Sequence, residues 1–235
     1  MERVLLPILL ALALLSGCRG TPGQARHEGA AIPADSTAVR APFVPEFSAT
    51  EIPPGVEARM RGVSYPEDAR IPLADLRYLR LSYYDFEGNP QTGEMVCNAA
   101  IARDLCEIFR DLYDARYPIR SIRLIDDFGA SDEASMLADN TSCFNYRPRT
   151  GQSRLSWHAY GLAVDVNPLE NPFVGRDGRV SPAAAEPYAD RAADFPHRID
   201  REDLCYKLFR AHGFAWGGAW RSVKDYQHFE KPSIR

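Results

Sequence analysis

Two segments that each contain a histidine and an acidic residue constrain the fold of this 235-residue chain more than any other feature. The first, residues 156–165, contains His158 and Asp165, and the second, residues 216–230, contains His228. A catalytic metal ion needs protein ligands drawn from His, Asp, Glu or Cys and an open position for water. Two imidazoles and one carboxylate meet that need, provided that the chain folds so that the two segments converge.

The N-terminus carries a targeting signal. Residues 1–4 include one Arg, residues 5–15 are apolar, and Leu15-Ser16-Gly17-Cys18 follows at once. The apolar run is too short to cross a bilayer and is typical of a signal peptide. The last four residues resemble a bacterial lipobox, in which Cys18 becomes the lipidated N-terminus. A plain secretory signal with an incidental cysteine is the alternative. We expect residues 1–17 to be a signal peptide and the protein to be exported and lipid-anchored to a bacterial membrane, facing the periplasm or the cell exterior.

Composition then separates a linker from a folded domain. Residues 18–56 are rich in Ala, Pro, Gly, Ser and Thr and lack a sustained apolar period, which predicts a flexible tether ahead of a domain at 57–235. Over the whole chain, 45% hydrophobic and 26% charged residues are typical of a globular protein. The formal net charge of −4, without a run of Lys or Arg, argues against nucleic acid as a partner.

The periodicity of the domain favours an α+β fold. Alternating or short apolar runs predict strands, and apolar residues at intervals of three and four predict amphipathic helices. A segment rich in Pro, Ala, Asp and Arg, residues 170–198, predicts a long surface excursion. The predicted strands are 79–84, 122–125 and 162–166, and the predicted helices are 98–117 and 201–212.

Four cysteines remain when Cys18 is set aside. They are Cys97, Cys106, Cys143 and Cys205, an even number in an oxidising compartment. Disulfides with any of three pairings are therefore plausible, and four reduced buried thiols are equally open.

The two His-containing segments carry a family resemblance. Residues 156–165 match S-x-H-x-x-G-x-A-x-D at every fixed position, the signature of zinc D-alanyl-D-alanine carboxypeptidases and L-alanyl-D-glutamate endopeptidases, also called VanY-like. Residues 216–230 resemble the closing motif of that family, a Trp- and Gly-rich turn and then an acid three residues before a histidine. The resemblance covers roughly 79–230. It implies a Hedgehog/DD-peptidase-like fold, a small antiparallel sheet flanked by helices with a zinc site on the sheet.

By this resemblance, His158, Asp165 and His228 hold Zn²⁺. Asp165 could instead cap the turn that follows it, and His228 could be a packed histidine. Asp225 corresponds to the general base, which takes a proton from the attacking water and hands it to the leaving amine. Glu230 is a rival base because it shares a strand face with His228.

Recognition of a substrate carboxylate calls for a cation, ideally a guanidinium. Many relatives place a Tyr-Arg pair where this chain has Asp126-Asp127. Arg147 is therefore the substitute candidate, unless it is an ordinary solvated arginine. Four further residues are expected near the substrate groove or, alternatively, in the core: Ser156, Tyr160, Trp216 and Trp220.

The motifs and the export signal together predict a zinc metallopeptidase, and two other classes of protein remain as alternatives. The expected partner is the peptide stem of peptidoglycan, cut as a D,D-carboxypeptidase or as an L-alanyl-D-glutamate endopeptidase, and we expect a monomer. The alternatives are a non-catalytic, zinc-containing wall-binding module of the same fold, and a metal hydrolase for a different amide.

Overall fold

The computed structural model describes residues 42–149 and 153–231. The predicted signal peptide and the lipid-attachment residue Cys18 lie outside these ranges. The described α-helices are Pro54–Met60 (α1), Ala99–Asp114 (α2), Asp132–Leu137 (α3) and Leu204–Ala211 (α4). The described strands are Phe47–Thr50 (β1), Leu76–Tyr84 (β2), Pro90–Asn98 (β3), Ser121–Ile122 (β4), Asn140–Thr141 (β5), Ala163–Asp165 (β6), Phe173–Val174 (β7), Val180–Ser181 (β8), Ala215–Trp216 (β9), Lys224–Asp225 (β10) and His228–Glu230 (β11).

The longest strands form an antiparallel sheet in the order β1-β2-β3. β2 and β3 pair over their full length, from Leu76 opposite Asn98 to Tyr84 opposite Pro90. β1 pairs with β2 although it lies in the stretch assigned to the tether. The folded domain therefore includes residues from Phe47 onward, ahead of the expected start at 57, because the apolar side chain of Phe47 packs against the core.

Helix α2 covers one face of this sheet. Its N-cap, Asn98, accepts a hydrogen bond from the backbone N–H of Ala100 at 3.0 Å, which satisfies a donor that the first helical turn leaves unpaired. One stripe of the helix is at most 1% exposed: Ile101, Leu105, Ile108, Phe109 and Leu112. The 3.6-residue period of that stripe made the helix predictable from sequence.

A second antiparallel sheet, in the order β6-β11-β9, brings the two His-containing segments together. Its central strand β11 sets His228 directly opposite Asp165 of β6. The next residue, Phe229, is fully buried and stacks on Phe209 of α4, with ring centroids 4.3 Å apart. The small antiparallel sheets and few helices confirm the predicted α+β class.

The prediction of a surface excursion at 170–198 is wrong in part. This segment contains β7 and β8, and β7 also pairs with β10, opposite Asp225. The half-buried Arg191 donates hydrogen bonds to the carbonyl oxygens of Glu170, Tyr188 and Ile199, at 2.7, 3.3 and 2.9 Å. A guanidinium that donates to three main-chain acceptors holds the segment against the domain.

Two further findings concern the cysteines and the helices of the described residues. Cys97, Cys106, Cys143 and Cys205 are free cysteines in the structure, which favours the reduced alternative over disulfides. Within 42–149 and 153–231, no helix combines the length and apolar character required to cross a membrane.

Candidate metal centre

His158 is presented by a tight turn that depends on Gly161. The 3-10 helix His158–Tyr160 ends at Gly161, whose φ of 65° lies in the left-handed region. A Cβ at this position would also lie 2.6 Å from the backbone nitrogen of Asn98, at the end of β3. A glycine is therefore required here for two reasons: the backbone has a left-handed conformation, and the chain approaches β3 closely.

Three of the predicted residues meet at one point. Ligand atoms from His158, Asp165 and His228 all lie within 4.8 Å of one another. His228 Nδ1 is 3.0 Å from Asp165 Oδ1, and His158 Nε2 is 3.2 Å from Asp165 Oδ2. The two facing imidazole nitrogens are also 3.2 Å apart. A single ion about 2 Å from each atom would fit this spacing, and the donor set of two imidazoles and a carboxylate suits Zn²⁺.

The outer nitrogen of each imidazole has its own partner. His158 Nδ1 lies 2.6 Å from the carbonyl oxygen of Cys143, to which it donates. His228 Nε2 lies 3.1 Å from Glu230 Oε2. Partners of this kind fix the orientation and tautomer of metal-binding histidines.

Charge within the cluster is tightly coupled. Burial opposes the charged form of Asp165, but the neighbouring His158 and His228 lower the pKa of this carboxyl group well below its ordinary value. Burial likewise opposes protonation of His228, yet its hydrogen bonds to Asp165 and Glu230 raise its pKa to about 10. A divalent cation would compete with protons for these sites, so its affinity should depend on pH.

Asp225 lies beside the cluster, on β10. Its Oδ1 is buried and lacks a hydrogen-bond partner among the described residues. Burial raises the pKa of Asp225 to about 6, against the lowering influence of His228. Gly217 explains how the Trp-Gly-Gly turn reaches this carboxylate, because a Cβ there would lie 2.8 Å from the Cβ of Asp225 and 3.2 Å from that of His228.

The residues expected near the groove lie in different environments. Ser156 is 6% exposed, and its Oγ accepts a hydrogen bond from the backbone N–H of His158 at 3.3 Å, so it supports the histidine turn. The Trp220 ring centroid is 5.3 Å from that of His228, which makes it a wall of the site. Tyr160 lines a cavity of about 200 Å³ that also contacts Asn98. Trp216 is 6% exposed and packs in the core.

Arg147 is already paired. Its guanidinium forms an ion pair with Asp132, and Asn145 Nδ2 donates to the same carboxylate at 2.8 Å. Binding a substrate carboxylate would require Arg147 to leave this partner or to share it. Its assignment to substrate recognition stays a prediction.

Two features of the site were missed or left ambiguous by sequence reasoning. The Cys143 carbonyl is a main-chain acceptor, which every residue has, so the sequence gives no signal for its role. Glu230 had a signal, its place two residues from His228 on one strand, but that signal alone did not separate a base from a hydrogen-bond partner of the imidazole.

The fold and the site together define the class. An α+β domain that groups two imidazoles and a carboxylate, with a further buried carboxyl group beside them, has the residue set of a metallopeptidase. Residues 150–231 match the family model described as D-alanyl-D-alanine carboxypeptidase. The match covers both motifs and less than half of the chain. Over this segment the match supports the peptidase family predicted from the motifs. Searches of curated proteins and of solved structures each gave no significant match.

Proposed function

We propose that this protein is a zinc-dependent peptidase that hydrolyses the peptide stems of peptidoglycan. The observation that carries the proposal is the convergence of His158, Asp165 and His228 within 4.8 Å, next to the buried Asp225. The family model adds the chemical class of substrate, a peptide that contains D-alanine. Both a D,D-carboxypeptidase and an L-alanyl-D-glutamate endopeptidase are consistent with this site.

The residues of the site have separate roles in the proposed hydrolysis. When bound, zinc acts as a Lewis acid on the scissile carbonyl and makes water a stronger nucleophile at neutral pH. Asp225 takes the proton that water loses on attack and delivers it to the leaving amine. Burial raises the pKa of Asp225, and a carboxylate made more basic by burial suits both steps, accepting the proton and then releasing it. Trp220 shields one side of the site from solvent.

Mass spectrometry of purified muropeptides tests this function. The wild-type protein should release terminal D-alanine or cleave after L-alanine, and a zinc chelator should stop either reaction. His158→Ala should lose both bound zinc and cleavage. His212→Ala is the matched control. His212 follows α4 and pairs with Asp104 of α2, outside the cluster, so this variant should retain both zinc and cleavage.

Two outcomes would count against the proposal. Hydrolysis by the His158→Ala variant without metal would refute the mechanism. Stoichiometric zinc in the wild type, with no change in any muropeptide, would instead indicate a non-catalytic module.

We also propose that the protein acts at a bacterial membrane surface, anchored through Cys18. The apolar run and the lipobox-like residues 15–18 support this location, and so does the wall substrate. Replacing Cys18 by Ser should move the protein from the membrane fraction to the soluble exported fraction. Unchanged membrane association of that variant, measured by fractionation and immunoblotting, would exclude lipid anchoring at Cys18.

A further inference from the structure

Glu230 has a defined contact that the reaction itself does not use. It lies on β11 two residues after His228, and its side chain is 14% exposed. Its Oε2 is 3.1 Å from His228 Nε2, the imidazole nitrogen that points away from the cluster. The other nitrogen, Nδ1, faces Asp165 and His158.

An imidazole can bind a metal only through a nitrogen without a proton. If His228 carries its proton on Nε2 and donates it to Glu230, the lone pair of Nδ1 is directed into the cluster. In the opposite tautomer a proton on Nδ1 would occupy the position of the ion. Without metal, Asp165 can also accept a proton from Nδ1, since its Oδ1 is 3.0 Å away. A metal ion bound by Asp165 removes that acceptor, and the Glu230 carboxylate on the outer nitrogen then favours the first tautomer and increases the basicity of the inner nitrogen.

We infer that Glu230 is a positioning residue, which fixes the tautomer and ring orientation of His228 so that Nδ1 is available to a divalent metal ion. This inference rests on the proposed zinc site. It assigns the two acids of the second motif to separate tasks, Asp225 to proton transfer and Glu230 to the metal ligand. Glu230 is thereby removed as a rival base, because its carboxylate is engaged on the far side of the imidazole from Nδ1.

The two imidazoles are oriented in different ways. The acceptor for His158 is a main-chain carbonyl, that of Cys143, which side-chain substitution leaves in place. The acceptor for His228 is a side chain and can be removed. The two histidines therefore supply an internal comparison within one protein.

The test measures zinc affinity by competition with a chelating indicator, together with turnover. Glu230→Ala should weaken zinc binding about 10- to 100-fold. Glu230→Gln should restore most of the affinity, because the amide oxygen still accepts from Nε2. Glu202→Ala, which changes a side chain 90% exposed and remote in sequence from both motifs, should match the wild type.

Nuclear magnetic resonance of the zinc-loaded wild type gives a readout that needs no variant. His228 should carry a slowly exchanging proton on Nε2 and none on Nδ1. Metal bound through Nε2 would overturn the inference, and this arm holds even if Glu230→Ala fails to fold.

The remaining outcomes separate the inference from the proposed function. Wild-type affinity in Glu230→Ala would overturn the positioning role and leave the zinc site intact. Unchanged affinity with lost turnover in both Glu230 variants would make Glu230 the base. A wild-type protein that binds no zinc would overturn the zinc site and the inference with it.

Discussion

At the scale of single residues, the centre depends on where carboxylates are buried and what they face. Asp165 faces two imidazoles, which stabilise its charge. Asp225 has a buried oxygen with no hydrogen-bond partner among the described residues, so its charged form is costly. One carboxylate is thus suited to hold a cation and the other to accept a proton.

Asp225→Asn tests that division. The amide is nearly isosteric but cannot accept a proton from water, so turnover should fall by about 10² or more. Zinc binding should be retained, because the three grouped ligands are unchanged. Single-turnover kinetics with metal analysis of the same sample measures both quantities. Full activity in this variant would remove Asp225 as the base.

Most residues of the candidate centre could be named from the sequence, and the contacts that could not be named have physical reasons. The family resemblance of the two motifs selected His158, Asp165 and His228, and the structure brings these three side chains together. Sequence reasoning did not give the ion pair between Arg147 and Asp132, since opposite charges in separate loops have no sequence period. It also left Trp216 between groove and core, because the side chain alone suits both.

At the scale of elements, the link from β6 to β7 connects the candidate ligand Asp165 to the strand that pairs with β10, which carries Asp225. Glu170 lies on this link and forms a buried acidic pair with Asp139, which precedes β5. Asp139 is 3% exposed and Glu170 is 7% exposed, and each has a buried carboxyl oxygen without a partner among the described residues. Burial and the neighbouring Asp139 raise the pKa of Glu170 to about 8. Two acceptors that face each other can be satisfied by one shared proton.

This pair predicts a loss of stability as the pH rises. The unfolded chain releases the Glu170 proton near its ordinary pKa of 4.5, while the folded protein keeps it up to about pH 8. The free energy of unfolding should therefore fall between about pH 5 and about pH 8, by about 1.4 kcal/mol for each pKa unit at most. Glu170→Gln donates to Asp139 at every pH and should remove most of the fall.

Chemical denaturation at about pH 5, 6.5 and 8, which span this range, measures the change in the free energy of unfolding. Glu186→Gln is the matched control. It changes an exposed residue of the same segment, and its free energy of unfolding should vary with pH as that of the wild type does. Parallel pH curves for the wild type and Glu170→Gln would show that the pair does not share a proton.

The segment 170–198, which contains Glu170, is the part of the domain whose secondary structure was not predicted from the sequence. Helix α2 and strand β2 could be predicted because their apolar periods are local in sequence. The segment 170–198 could not, since its order comes from contacts with distant residues. Arg191 lies over the ring of Tyr226 at 4.3 Å, and β7 pairs with β10 across about fifty residues.

At the scale of the whole molecule, two of the three antiparallel sheets among the described residues differ in what they contribute. The sheet of β1, β2 and β3 with α2 supplies the largest part of the buried core. The sheet of β6, β11 and β9 places the ligands in register, and Gly161 lets its histidine turn approach the end of β3. The large sheet therefore supports the small one, and the candidate metal centre lies on the small sheet.

The central claim is that one zinc ion is held by His158, Asp165 and His228. Anomalous diffraction at the zinc absorption edge, from crystals grown with zinc, tests it most directly. We predict a single peak about 2 Å from His158 Nε2, from His228 Nδ1 and from one oxygen of Asp165. Zinc bound at other residues, with these three side chains left without metal, would contradict the account.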